Sequence, residues 1–396
     1  MIRTDSTRGH VALIVAHCAG MLDAVALPVW VGTLIGRYGF DPQQAGLIVT
    51  LFLGGVVLAS LVLAPRFNRL SGRGVASLCF GVCALGFWAA TQSAEFAMLA
   101  LLHALCGVAN GAALSVTHGT IALSARPHRL FAIVNAALGI AAVFYLGVTP
   151  QIIAAAGGAA LFVVFGTVMA AAALVCALAF PHARPPSSAR ATDAQSTTTV
   201  AAAGHFGRPV WFGIAGVSLM AVVQAMIFSF VERVGHERGF GPEALTGVLI
   251  ALGFVNLAPA PLAALLERRL PAHAVLIWAP VVQALLAFTV MNANAFWAYG
   301  AAASVIVAVV VFSHTFAFGL LARLEPSGRA LSATPAMLMA GSAIGPVLGG
   351  TLVKFVGYGS LGFAAIALCS AAVMCFRQLP RPTRGVPPPA PAAAQA

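Results

Sequence analysis

The chain has 396 residues, of which 60% are apolar and 8% charged, and its formal net charge is +11. A soluble domain carries about 25% charged residues, so this composition excludes a water-facing enzyme, a secreted disulfide scaffold and a disordered chain. A helix needs about 20 apolar residues to cross a bilayer, and the apolar content suffices for about twelve such helices.

Arg3 and Arg8 precede the first apolar run, which is longer than the roughly 7–15 residues of a cleavable signal core. That run is therefore expected to remain as the first span. Spans are predicted at Val11–Gly36, Gln43–Pro65, Gly74–Ser93, Phe96–Ser124, Leu130–Ile153 and Gly158–Phe180. A second set is predicted at Val210–Val234, Leu245–Leu266, Ala274–Asn292, Phe296–Ala322, Ala330–Val353 and Ser360–Gln378. The runs are too long for barrel strands, and a helix satisfies its own backbone in lipid. The fold class expected is thus an all-α membrane protein of twelve spans. Residues 1–10 form an N-terminal segment, 11–180 and 210–378 two six-helix bundles, 181–209 a polar linker, and 379–396 a Pro/Ala-rich tail without fixed structure.

Orientation follows from the basic residues. With the N-terminus inside, all 21 Lys and Arg fall in cytoplasmic segments except Arg37, Arg233, Arg238 and Lys354. A bias kept through every loop predicts cytoplasmic N- and C-termini in an inner membrane, and it explains the positive charge without a nucleic-acid partner. One missed span would invert the second half and destroy the pattern.

The halves also repeat. Tyr38-Gly39-Phe40-Asp41-Pro42 stands 200 residues before Arg238-Gly239-Phe240-Gly241-Pro242, and Arg69-Leu70 is matched by Arg269-Leu270. Thr117-His118 before Arg126 echoes Ser313-His314 before Arg323. Parallel repeats of six helices suit a transporter that rocks two halves about a central site.

Three motif regions resemble the major facilitator superfamily. After the second span, Ala64-Pro65-Arg66-Phe67-Asn68-Arg69-Leu70-Ser71-Gly72-Arg73 is similar to that family's G-x-x-x-D-R-x-G-R-R loop, with Ala for the first Gly, Asn68 for the Asp and one residue more. Its second-half copy keeps Glu267-Arg268-Arg269. The resemblance implies a cytoplasmic gate involving Asn68, Arg69, Arg73, Glu267 and Arg268, with Glu267–Arg268 carrying more because Asn68 lacks charge. In the fourth span, His103-Ala104-Leu105-Cys106-Gly107 resembles the R-x-x-q-G motif with His103 at the Arg position. That substitution leaves a titrating group where the family has a fixed cation. In the eleventh span, Gly341, Gly345, Pro346, Gly349 and Gly350 match the antiporter pattern G-x-x-x-G-P-x-x-G-G. Drug/proton antiporters of the family carry it in the fifth span; in the eleventh it reads as close helix packing around a proline kink.

Asp23 is the one acid near the middle of a span, and burying it there costs about 2.5–3.5 kcal/mol. The first, fourth, seventh and tenth spans usually line the cavity in the resembled family. Asp23 is therefore the candidate proton-coupling residue. His103, Asn110, His118, Ser218, Gln224 and His314 are candidate substrate-cavity residues. The seven cysteines lie in apolar stretches without a CxxC pair, so no metal or other cofactor is expected. No G-x-x-x-x-G-K-[ST] loop is present, which disfavours ATP-driven transport. The expectation is a monomeric, non-enzymatic secondary transporter in the lipid bilayer, its partners a small organic solute and protons. Proton-coupled export of an amphipathic compound leads; proton-linked uptake of an organic acid or sugar and a non-transporting sensor are the alternatives.

Overall fold

The computed structural model describes residues 4, 6–63, 71–181, 207–267, 269–325 and 334–380. Most of the predicted linker, the tail from residue 381, and Asn68, Arg69 and Arg268 lie outside them. Fourteen helices among the described residues make up twelve spans. In order they are α1 (Thr7–Gly20), α2 (Leu22–Gly36), α3 (Pro42–Leu63), α4 (Gly72–Ala90), α5 (Phe96–Ala122), α6 (Pro127–Ala156) and α7 (Ala159–Ala179). The second half holds α8 (Arg208–Glu237), α9 (Pro242–Val255), α10 (Pro259–Leu266), α11 (Ala272–Asn292), α12 (Phe296–Leu324), α13 (Thr334–Val356) and α14 (Gly359–Arg377).

Local chemistry sets the helix ends. Ser6 and Ser71 accept the N–H groups of Gly9 and Gly74 through their side chains, at 3.1 and 3.3 Å. Proline begins α3, α9 and α10, where its missing N–H costs nothing. The four left-handed glycines are Gly39, Gly157, Gly239 and Gly357, two pairs each 200 residues apart. They turn the chain at equivalent places in the two halves. The edge-to-face pairs Phe40–Phe96 and Phe240–Phe296 repeat at the same offset. The duplication visible in the sequence is thus a duplication of structure.

That register refines one sequence pairing. Phe318, rather than His314, stands 200 residues beyond His118. The two histidines occupy the same face one helical turn apart, and the His314 ring stacks on Phe318 at 5.5 Å.

Two spans are broken, which the apolar runs did not reveal. In the first, Ala24 N–H turns back to Met21 O at 3.2 Å, and the carbonyl of Gly20 is left to accept from Asn110 Nδ2 at 2.9 Å. In the eighth, Leu257 and Ala258 donate to residues three back, at 3.1 Å each, before Pro259 restarts the helix. Freed backbone at membrane depth requires protein partners, and Asn110 supplies one.

Candidate functional site

The first and seventh spans face each other across the two halves. Along the first, Ile14, Cys18, Met21 and Ala24 form a partly exposed stripe, and the same face continues as buried Leu27, Pro28 and Val31. Along the seventh, Ile214, Ala215 and Ser218 are partly exposed while Val222, Ala225 and Ser229 are buried. The space between the halves therefore opens toward the side where the first span begins and the last one ends, here the terminal face. It is sealed at the opposite, far face.

Asp23 sits where this stripe changes from open to sealed. It occupies the first turn of α2, is 5% exposed, and its Oδ1 is buried without a hydrogen-bond partner. The N-terminus of α2 favours a negative charge at this position, and no ion-pair partner for Asp23 is found among the described residues. Asn110, by holding Gly20 O, fixes the break that presents it.

The other predicted site residues divide. Gln224 on α8 is half-buried with an unpartnered Oε1, and His314 on α12 has an unpartnered Nε2. Ser218 lies on the open stripe. His118 shares a hydrogen bond of 3.1 Å with His17 and packs edge-on against Phe131. His103 is fully enclosed among Trp30, Phe87 and Phe162, its Nδ1 held by Leu99 O at 2.6 Å, so it belongs to the interior of the first half and meets no open space here. Asn110 is likewise fully enclosed. Arg73 donates to Phe180 O at 3.0 and 3.2 Å, a contact within its own half, and Glu267 is exposed at the end of the eighth span.

The glycine motif of the eleventh span serves two neighbours. A Cβ added at Gly341, Gly345 or Gly349 would strike α8, and one at Gly350 would strike the carbonyl of Pro42 on α3. Pro346 presents its carbonyl to Gly46 of α3 just as closely. Thr50 of α3 then inserts its hydroxyl into α13, donating to Ala343 O at 2.7 Å and accepting from Val347 N–H at 3.2 Å. Gln43 donates to Thr351 Oγ1 at 3.3 Å, and Lys354 donates to Asp41 at 3.0 Å and to Gln43 at 3.2 Å.

Three polar residues of the interior escaped the sequence reading. His17 had no motif to mark it, and only the fold brings it to His118. Asn256 ends α9 at the break of the eighth span with its Oδ1 buried and unpartnered. Glu232, near the outer end of the seventh span, is half-buried between the halves. Its carboxylate lies against Gly32, where no Cβ would fit, and His236 Nε2 approaches Oε1 at 3.5 Å. With Arg37, Arg233, Thr33 and Thr246 they surround a polar cavity of about 280 Å³ at the far face.

Among the described residues no cluster of three or more His, Cys, Asp or Glu could hold a metal ion. Residues 12–327 match the family model for the Major Facilitator Superfamily. The chain belongs to that superfamily. A search of curated protein sequences finds no match. Among solved structures, a mutant form of the nucleoside transporter NupG is similar over 93% of this chain and 98% of its own, at 14% identity and a TM-score of 0.71. A bacterial homologue of the human lysosomal transporter Spinster, inward-facing and unoccupied, is similar over 93% of this chain and 92% of its own, at 15% identity and a TM-score of 0.66. At such identities the likeness is one of fold. This major facilitator is therefore a multi-pass membrane transporter, not an enzyme, with two six-helix bundles around a central space.

Proposed function

We propose that this major facilitator is a proton-coupled secondary transporter of the inner membrane that exports a small amphipathic organic solute. The observation that carries the reading is Asp23, a buried carboxyl with an unpartnered oxygen at the break of the first span. Coupling through a side chain needs a group that gains and loses a proton at depth and meets each side in turn. Asp23 lies at the boundary between the open and sealed parts of the path, so rocking the halves changes which side it meets. The basic loops favour cytoplasmic termini, under which the terminal face is cytoplasmic and this structure is inward-open. The open stripe around Asp23 is largely apolar, which suits an amphipathic solute better than a small anion. His118 with His17, and His314, are the secondary titrating groups on the cytoplasmic side.

A second reading, proton-linked uptake of a polar organic solute, draws on Gln224 and Asn256, whose unpartnered amide oxygens suit a hydroxylated or base-bearing compound. The nucleoside transporter among the structural relatives fits this reading at the level of fold.

Asp23→Asn keeps size and hydrogen bonding but removes ionisation. In proteoliposomes it is expected to abolish accumulation driven by a pH step, at least tenfold, while substrate counterflow persists. Undiminished accumulation would move the coupling role elsewhere. A screen of knockout and overexpression strains across toxic compounds and carbon sources separates the directions: sensitisation to lipophilic cations marks export, and loss of growth on one nutrient marks uptake.

A further inference from the structure

The break in the eighth span has a consequence on the outer wall of the second half. Where α9 ends and α10 begins at Pro259, the span bends and leaves a groove of about 510 Å³ against α11 and α12. Its lining is apolar throughout, including Pro259, Leu270, Trp278, Val282, Val309 and Phe312. Trp278 and Val282 are exposed on the outer surface of a helix that crosses the bilayer, Trp278 by 65%, and Leu270 is exposed just before that helix begins. The volume falls within the roughly 300–1,000 Å³ of small-ligand sites. Water has nothing to bond to in such a groove, and the hydrocarbon of the bilayer is its natural filler.

Length and charge narrow the occupant. The groove begins at Leu270, beside the terminal end of α11, and reaches Val282. The ten helical steps from Ala272 to Val282 rise about 15 Å, which is half of the roughly 30 Å hydrocarbon core. One acyl chain of the leaflet on the terminal face matches that depth. At the mouth, Arg269 directly precedes the lining residue Leu270 and is exposed. Glu267, two residues before it, is exposed as well. The exposed guanidinium of Arg269, beside the first lining residue, suits a phosphate-bearing anionic headgroup.

We infer that this groove is a binding site for an anionic phospholipid, with one acyl chain against Trp278 and the headgroup at Arg269. The site is independent of the coupling role of Asp23 and of the transported solute. The second span, the repeat equivalent of the eighth, runs unbroken from Pro42 to Leu63, so the site belongs to one half only.

The test uses Trp278 as its own reporter. The full chain is placed in nanodiscs in which a tenth of the lipid is dibrominated phosphatidylglycerol or, separately, dibrominated phosphatidylcholine. The difference in quenching between wild type and Trp278→Phe isolates Trp278 among the five tryptophans. At least threefold more quenching by the glycerol lipid is expected, falling to the choline level in Arg269→Gln. Ala308→Phe, which fills the groove without touching its mouth, is expected to halve the quenching by the anionic lipid. Equal quenching by the two headgroups, or an unchanged preference in Arg269→Gln, would overturn headgroup recognition. Undiminished quenching in a folded Ala308→Phe protein would overturn the groove as the chain's seat.

Discussion

The second and eleventh spans meet backbone to backbone; the fifth and eighth, their counterparts through the repeat, meet mainly through side chains. In the first seam Gly46 faces the Pro346 carbonyl, Gly350 faces the Pro42 carbonyl, and the Thr50 hydroxyl enters the hydrogen-bond ladder of α13. In the second, Gly139 meets the end of Leu257, Gly147 meets Ile250, and Gly253 meets Val143. Contacts between glycine and carbonyl are directional and hold one register, as close membrane-helix packing requires. An aliphatic side chain can repack as its helix slides. The two seams are therefore expected to permit different motion, with the halves pivoting along the second and eleventh spans and parting along the fifth and eighth.

Filling the tighter seam is the most direct attempt to break this contrast. Gly46→Val and Gly350→Val each place atoms on a carbonyl of the opposite half, and each is expected to lower the initial transport rate at least tenfold. Gly147→Ala meets only the flexible end of Ile250, 3.3 Å away, and is expected to stay within twofold of wild type. Equal losses in the two seams, measured in proteoliposomes at matched protein density, would erase the distinction.

Removing one hydroxyl sharpens it. Thr50→Val keeps the shape of the side chain but leaves Ala343 O and Val347 N–H without their cross-half partner. An unmet buried polar group costs about 1–3 kcal/mol. The thermal midpoint in detergent is expected to drop by several degrees, and Thr50→Ser to recover most of it. No drop in Thr50→Val would mean that the ladder of α13 closes without help from α3.

The smallest effect belongs to the far end of the same seam. Burial pushes the Asp41 carboxyl upward, but the backbone N–H groups of Gln44 and Gln43 and the Lys354 ammonium outweigh it and hold the group below the ordinary aspartate value. A depressed value means that the pairing contributes above the unfolded pKa of about 3.9 and is lost only as pH falls through the folded one. Partly exposed as the pair is, Asp41→Asn is expected to cost less than about 1 kcal/mol. Spin labels on the far-face ends of the second and eleventh spans are expected to report one distance from pH 8 to pH 5. A distance that widens within that interval would contradict the assigned direction.

Most of this architecture is legible in the residues. Span ends fall within a few residues of the predicted ones because bilayer thickness fixes length and apolar runs stop where Arg, Pro and Gly gather. The repeat is legible because a turn that needs Gly39 in one half needs Gly239 in the other. What escapes is what depends on a neighbour. Gly20-Met21 reads as unbroken helix, since the break is held by Asn110 from another span. His103 reads as a cavity residue because helical spacing gives a face but does not say which neighbour covers it. Glu232 reads as an end residue, since counting inward from a helix terminus cannot reveal that the opposing half seals over it.

Gly32 and Glu232 stand 200 residues apart, so each is the other's copy, and in the closed far face they touch. Equivalent points of a duplicated body can touch only on the axis relating the copies, where any side chain would have to share its space with its own twin. Here the Glu232 carboxylate already fills the space that a Cβ at position 32 would need. The carboxylate at this crossing is thus a single charge beside the axis that relates the halves, seated there because its twin residue contributes no side chain.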